Sequence, residues 1–275
     1  MTLNHLINGS VKWTKKDYAL FFYLVPLVLI LFFVMPSGLQ SQIILKPMQP
    51  TFISAFFSNY LHTNLEHLVS NLFFYLIVLL FLFNLETEKK RFYVVAVGLL
   101  LVLPLISSLI IILVLSRIPP SLGFSAIVSG FLGYFVYAIY ANVKTKYYPK
   151  LKYSFLGLFL MLNVLFWSIA WSAYELLMIS SILTICVLYL NRQAIKQTML
   201  KIKPKIKQPL KKSFPISVFI SFTLAFAVLG FLILLPRNVI GPNNSIVNIF
   251  AHYVGYLVGL SLPLIYDTLF SSKKC

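Results

Sequence analysis

The sequence predicts an all-α polytopic membrane protein with about eight spans and both termini cytoplasmic, and three observations predict it. Hydrophobic residues fill 60% of the 275 positions and charged residues only 11%, whereas a soluble domain carries roughly 25% charged residues. The apolar residues gather into runs close to the length of about 20 that crosses a bilayer. The lysines and arginines collect in alternate joints between those runs, the pattern that marks cytoplasmic joints. The net charge of +17 is therefore read as orientation in a bilayer. No nucleic-acid partner is expected, because the basic residues separate apolar runs and do not share one face of a soluble fold. Cys186 and Cys275 supply neither a disulfide framework nor metal-ligand spacing.

Taken in order, spans are expected at 18–35, 65–85, 92–115, 122–142, 153–171, 173–190, 215–236 and 247–268. The first, Tyr18 to Val34, follows Lys12, Lys15 and Lys16 and could pass for a signal peptide. It is longer than the usual apolar core of one and no small-x-small cleavage site follows, so a retained span is expected. The loop from Pro36 to Tyr60 is partly amphipathic, at Phe52-Ile53 and Phe56-Phe57, and is expected to lie in the outer interface. Orientation comes from counting cations. The joints at 12–16, 89–91, 144–152, 192–212 and 273–274 hold twenty of them, and the other joints only Lys46, Arg117 and Arg237.

The stretch from Tyr153 to Leu190 holds 38 residues without a charge cluster, about 57 Å as one helix against a hydrocarbon core of about 30 Å. Both of its flanks are basic. Two spans with a tight outer turn near Trp171-Ser172-Ala173-Tyr174-Glu175 satisfy both facts and put Glu175 at the outer interface. The eight basic residues and two prolines between Asn191 and Phe214 read as a solvated cytoplasmic linker near anionic headgroups.

Three short stretches carry the chemistry, and each begins an apolar run. One is Gly123-Phe124-Ser125-Ala126, followed by Gly130 and Gly133. A second is His62-Thr63-Asn64-Leu65-Glu66-His67, followed by Asn71. The third is Ala251-His252-Tyr253-Val254-Gly255, followed by Gly259. With eight crossings all three runs start outside and lead inward, so Ser125, His252, His67 and Asn71 can share one layer near the outer surface. A single crossing over 153–190 would bring His252 in from the cytoplasm and split the set. Serine is a poor nucleophile until a base takes its proton, and His252 is the base that this topology brings near. His67 and Asn71 lie four residues apart on one helix face. With the Ser125 backbone N–H, they can offer donors to an oxyanion. Glu66 falls on a different face, so a Ser–His dyad is expected over a triad. Gly255, Gly259, Gly130 and Gly133 allow close helix approach.

On these residues the chain resembles the rhomboid family of intramembrane serine proteases. The matching features are His62-x4-His67-x3-Asn71, Gly123-Phe124-Ser125 with Gly130 and Gly133, and Ala251-His252-x2-Gly255-x3-Gly259. The resemblance implies a six-helix core over 18–142 and 215–268, with a transmembrane hairpin at 153–190 and a basic linker at 191–214 inserted into a single membrane domain. It implies that Ser125 is the nucleophile and His252 the general base. His67, Asn71 and Ser125 then form the oxyanion hole, and His62 supports the site beside Gly123, Ala126, Gly255 and Gly259. The helix at 215–236 would match the substrate gate and the loop at 237–246 the cap. The implied activity is cleavage of peptide bonds in or near the transmembrane segments of other membrane proteins, at the extracytoplasmic side of the cell membrane, without metal or cofactor. The sequence departs from the family pattern in three places. Ala126 stands where a glycine is usual, 36–60 lacks a Trp-Arg pair, and the hairpin is additional.

Other chemistries fit less well. His62-x3-Glu66-His67 is one residue too long for an inverted zinc motif, and no His-Glu-x2-His occurs. An aspartyl protease needs two aspartates within spans, but Asp17 and Asp267 sit at span ends. A transporter would show repeated halves with broken helices. The non-enzymatic alternative is a rhomboid-like pseudoprotease that binds client membrane proteins.

Overall fold

A computed structural model describes residues 11–114, 121–206, 210–234 and 249–270. Apart from one isolated bridge, Leu45 to Ser121, the described residues form helices joined by loops. In chain order these are α1 Lys15–Phe33, α2 Ser37–Ile43, α3 Phe52–Phe57, α4 Leu65–Leu85, α5 Lys89–Val114, α6 Ser125–Lys146, α7 Ser154–Ala170, α8 Tyr174–Leu190, α9 Arg192–Ile206, α10 Leu210–Leu234 and α11 Ile249–Phe270. Five of them, α1, α4, α5, α6 and α11, are long and apolar enough to cross a membrane, and the count rises to six if the bent pair α8–α9 is one span. α7 and the stretch Ile216–Leu232 of α10 are shorter apolar helices. Each of the eight expected runs thus contains a helix, and the turn expected near Trp171 separates α7 from α8. There Ser172 adopts a positive φ of 53°.

The described chain clusters into two compact units. The first contains Phe81–Glu88 with the described part of Phe135–Arg237. The second contains Lys12–Leu80 and Lys89–Tyr134 with the described part of Asn238–Cys275.

In the second unit, α1 and α5 share a local device. Each widens into one π-helical stretch, Ala19–Leu24 and Gly98–Val102, shortly before a proline, Pro26 and Pro104. Proline cannot donate to the carbonyl one turn back and its ring crowds that carbonyl. A locally wider turn accommodates it without breaking the helix. The two helices are joined near their starts by an ion pair of Lys89 with the buried Asp17 at 2.6 Å. Arg91 ties α5 to α11 through Asp267 at 3.1 Å. The loop between α1 and α4 holds no helix long enough to cross a membrane. Its helices α2 and α3 are short, and the Asn59 amide donates to the Pro104 carbonyl and to Ser108 Oγ, while Ser107 Oγ donates to Asn59 Oδ1. That network fastens the loop to α5.

In the first unit, α7 and α8 form the expected hairpin. Within the 191–214 stretch, residues 192–206 are helical, a state the sequence reading left unassigned, and bend 65° from α8. Apolar residues at Ile195, Met199 and Ile202 recur at helical spacing, with Ile195 and Ile202 half-buried and Met199 exposed. Lys201 Nζ donates to the Tyr147 carbonyl at 2.6 Å, fastening α9 to the end of α6.

Candidate active site

The site lies within the second unit and is assembled from three helix starts. Asn64 caps α4, its Oδ1 accepting from the His67 backbone N–H at 2.8 Å, an ordinary N-cap interaction. This sets the first turn, which carries His67, with Asn71 one turn further on. Thr63 Oγ1 lies 3.3 Å from His67 Nδ1. His62 packs edge-on to His67, with ring centroids 5.1 Å apart.

Ser125 is the first residue of α6. The segment leading to it is pinned by hydrogen bonds from the Ser121 N–H to the Leu45 carbonyl and from the Gly123 N–H to the Ser58 carbonyl. Phe124 is fully buried between the rings of Tyr60 and Tyr75, and its carbonyl accepts the first bonds of α6. Gly123 has φ of +133°, which a side chain rarely tolerates, and a Cβ there would lie 2.9 Å from the His67 ring. Glycine is required on both counts. The Ser125 N–H belongs to the first turn, whose donors have no intrahelical acceptor.

His252 sits in the first turn of α11 and is buried. Its Nε2 lies 2.6 Å from Ser125 Oγ. Glycines set the register that makes this contact. A Cβ at Gly255 would overlap the Ala126 carbonyl oxygen, one at Gly259 the Gly130 carbonyl oxygen, and one at Gly133 the Tyr256 carbonyl oxygen. Here α6 and α11 meet backbone to backbone, the arrangement that small residues permit in membrane helices. Ala126 is buried in this contact, so its methyl group is accommodated while the glycine opposite receives its carbonyl.

Two of the polar groups are notable for lacking partners. Asn71 is buried and its Nδ2 makes no hydrogen bond. A buried amide left unsatisfied costs about 1–3 kcal/mol. The His62 ring nitrogens also lack hydrogen bonds of ordinary geometry. Burial, reinforced by the neighbouring His67, pushes the His62 ring down to about 3, with the Tyr60 backbone opposing. His62 is therefore neutral at physiological pH.

A model of the rhomboid domain matches residues 49–186, half of the chain. The chain belongs to the rhomboid family. No curated protein and no solved structure matches it. The rhomboid match contains His62, His67, Asn71, Gly123 and Ser125. It also runs through α7 and into α8, the hairpin that the sequence reading set apart from the core, and it ends before the helix that carries His252. The loop at 237–246, expected as a cap, lies outside the described residues. Among the described residues, no three His, Cys, Asp or Glu side chains group as a metal site.

Sequence reasoning gave no role to Thr63, Asn64, Tyr60 or Tyr75, although the structure uses all four to position the site. A Thr-Asn pair just ahead of an apolar run is a recognisable helix start. No local signal marks the two tyrosines as the walls around Phe124.

Proposed function

We propose that this rhomboid is an active intramembrane serine protease, with Ser125 as nucleophile and His252 as general base, working at the extracytoplasmic face of the cell membrane. The observation that carries the reading is the 2.6 Å approach of His252 Nε2 to Ser125 Oγ, within hydrogen-bond reach of a nucleophile and its base. Neutral His252 accepts the Ser125 proton at Nε2 as Oγ attacks the scissile carbonyl. The charge that develops on the carbonyl oxygen is met by the Asn71 amide, the Ser125 N–H and His67, which act as oxyanion donors. Protonated His252 then gives its proton to the departing amine, leaving an acyl group on Ser125. Water, deprotonated by His252, releases that acyl group and restores the serine. No step calls for a metal or a cofactor.

The substrates fitting such a site are peptide bonds in or near transmembrane segments that unfold locally at the outer face. The test is incubation of the protein in liposomes with a panel of single-span proteins, followed by mass spectrometry of new termini. Cleavage by wild type and not by Ser125→Ala supports the reading. Retention of intact clients on a folded protein that cuts none would favour the pseudoprotease instead.

A further inference from the structure

Within the first unit, α6, α7, α9 and α10 line an open cavity of about 1100 Å³ whose lining includes none of the candidate catalytic residues. Its walls are apolar, with Leu158 of α7 and Phe219 of α10 among them, and its edge is formed by α9 with Arg192, Lys196 and Lys203. All three cations are exposed, and the described part of the first unit offers no acid among the lining residues. Two hydroxyls in the lining have no partner, those of Thr198 and Thr223, and Thr223 is only 6% exposed. The cavity therefore combines walls suited to hydrocarbon, unsatisfied donors in its lining and a cationic edge.

We propose that this cavity holds an anionic phospholipid, with acyl chains against the α7 and α10 walls and the phosphate at Arg192, Lys196 and Lys203. The ester-linked glycerol region carries the acceptors that the Thr198 and Thr223 hydroxyls lack, and an unmet hydroxyl in an apolar setting is costly. The volume is at the upper end of the roughly 300–1,000 Å³ of small-molecule pockets, large enough for acyl chains. The cations belong to the joint expected on the cytoplasmic side, where anionic headgroups are abundant and each nearby Lys or Arg contributes about 1 kcal/mol of attraction. The inference is independent of whether Ser125 is active, since binding is read without turnover.

The test is native mass spectrometry of the detergent-purified full chain with phosphatidylglycerol and with phosphatidylcholine of the same acyl chains. Phosphatidylglycerol should be retained preferentially. The combined Arg192→Gln, Lys196→Gln and Lys203→Gln variant should lose that lipid by about tenfold to a hundredfold at low salt while keeping the weak phosphatidylcholine signal. Thr223→Val, which keeps the shape and removes the hydroxyl, should weaken both lipids. Ile220→Trp, which fills the cavity, should abolish both, with thermal melting used to confirm that each variant folds. Equal retention of the two lipids would overturn the proposal, as would a folded Ile220→Trp variant that still holds phosphatidylglycerol. Displacement by glycerol 3-phosphate alone would show a simple phosphate site, and displacement by a transmembrane peptide would show a helix-docking groove. Either result would also overturn it.

Discussion

At the scale of single residues, the candidate site combines the Ser125–His252 contact with the buried, unpartnered Asn71 amide nitrogen. Asn71 is buried with an unpartnered amide nitrogen, so its removal takes away no hydrogen bond of that nitrogen and, on the proposed mechanism, one oxyanion donor. Asn71→Ala should lower turnover by about 10²–10³ while leaving thermal stability near wild type, which steady-state kinetics and melting measure together. His62 acts through pH. Its folded-state value of about 3 lies below the ordinary 6.5, so the fold favours the neutral ring. That contribution is complete above about pH 6.5 and is lost as the pH falls toward 3. Between pH 7.5 and pH 5 the wild type should lose up to about 2 kcal/mol of stability from this group. His62→Phe should lack that part of the pH dependence in melting curves run at both values. The pairing of Ser125 with His252, 2.6 Å apart, was legible in the sequence because each residue sits at the start of an apolar run. The roles of Tyr60 and Tyr75 were not, since they arise where separate helices close around Phe124 and leave no trace in local spacing.

At the scale of elements, the decisive contact is that of α6 with α11. Gly255 and Gly259 face the carbonyls of Ala126 and Gly130, and lipid offers no hydrophobic force to hold two helices together once that packing is lost. Gly259→Val should push α11 away, cost about 3 kcal/mol or more, and separate His252 from Ser125. Gly157 of α7 is the contrasting position, because nothing lies within 4 Å of a Cβ placed there. Gly157→Ala should stabilise by about 0.5–1 kcal/mol. Melting temperatures of the two variants, measured side by side in one detergent, check both signs. The helices themselves were readable from apolar run length, and the glycine pairs from their spacing of three residues (Gly130, Gly133) and four (Gly255, Gly259). The helical state of α9 was not, because Pro204 and the dense lysines suggest a solvated linker. Its described apolar side chains are half-buried at most, apart from Ala194, so they leave only a weak pattern beneath the charges.

At the scale of the whole molecule, the number of crossings decides whether the chemistry can exist. The described helices include five long candidate spans, with α7, α8 and α10 as further apolar helices. With eight crossings the starts of α4, α6 and α11 all face outward, whereas a single crossing by the α7–α8 pair would reverse α11. Alkaline phosphatase fused after Ser172 should be active, as an exported enzyme, and fused after Gln197 should be inactive. The expectation of this arrangement rests on the positive-inside signal, for twenty of 23 cations fall in the joints expected to be cytoplasmic. The division into two compact units was not readable, because each unit is assembled from stretches far apart in the chain. The most direct test of the central claim is labelling by a serine-reactive fluorophosphonate in detergent, comparing wild type with Ser125→Ala and His252→Ala. An activated serine with its base 2.6 Å away predicts labelling of wild type alone. Equal labelling of wild type and folded Ser125→Ala, or none of folded wild type, would contradict the account.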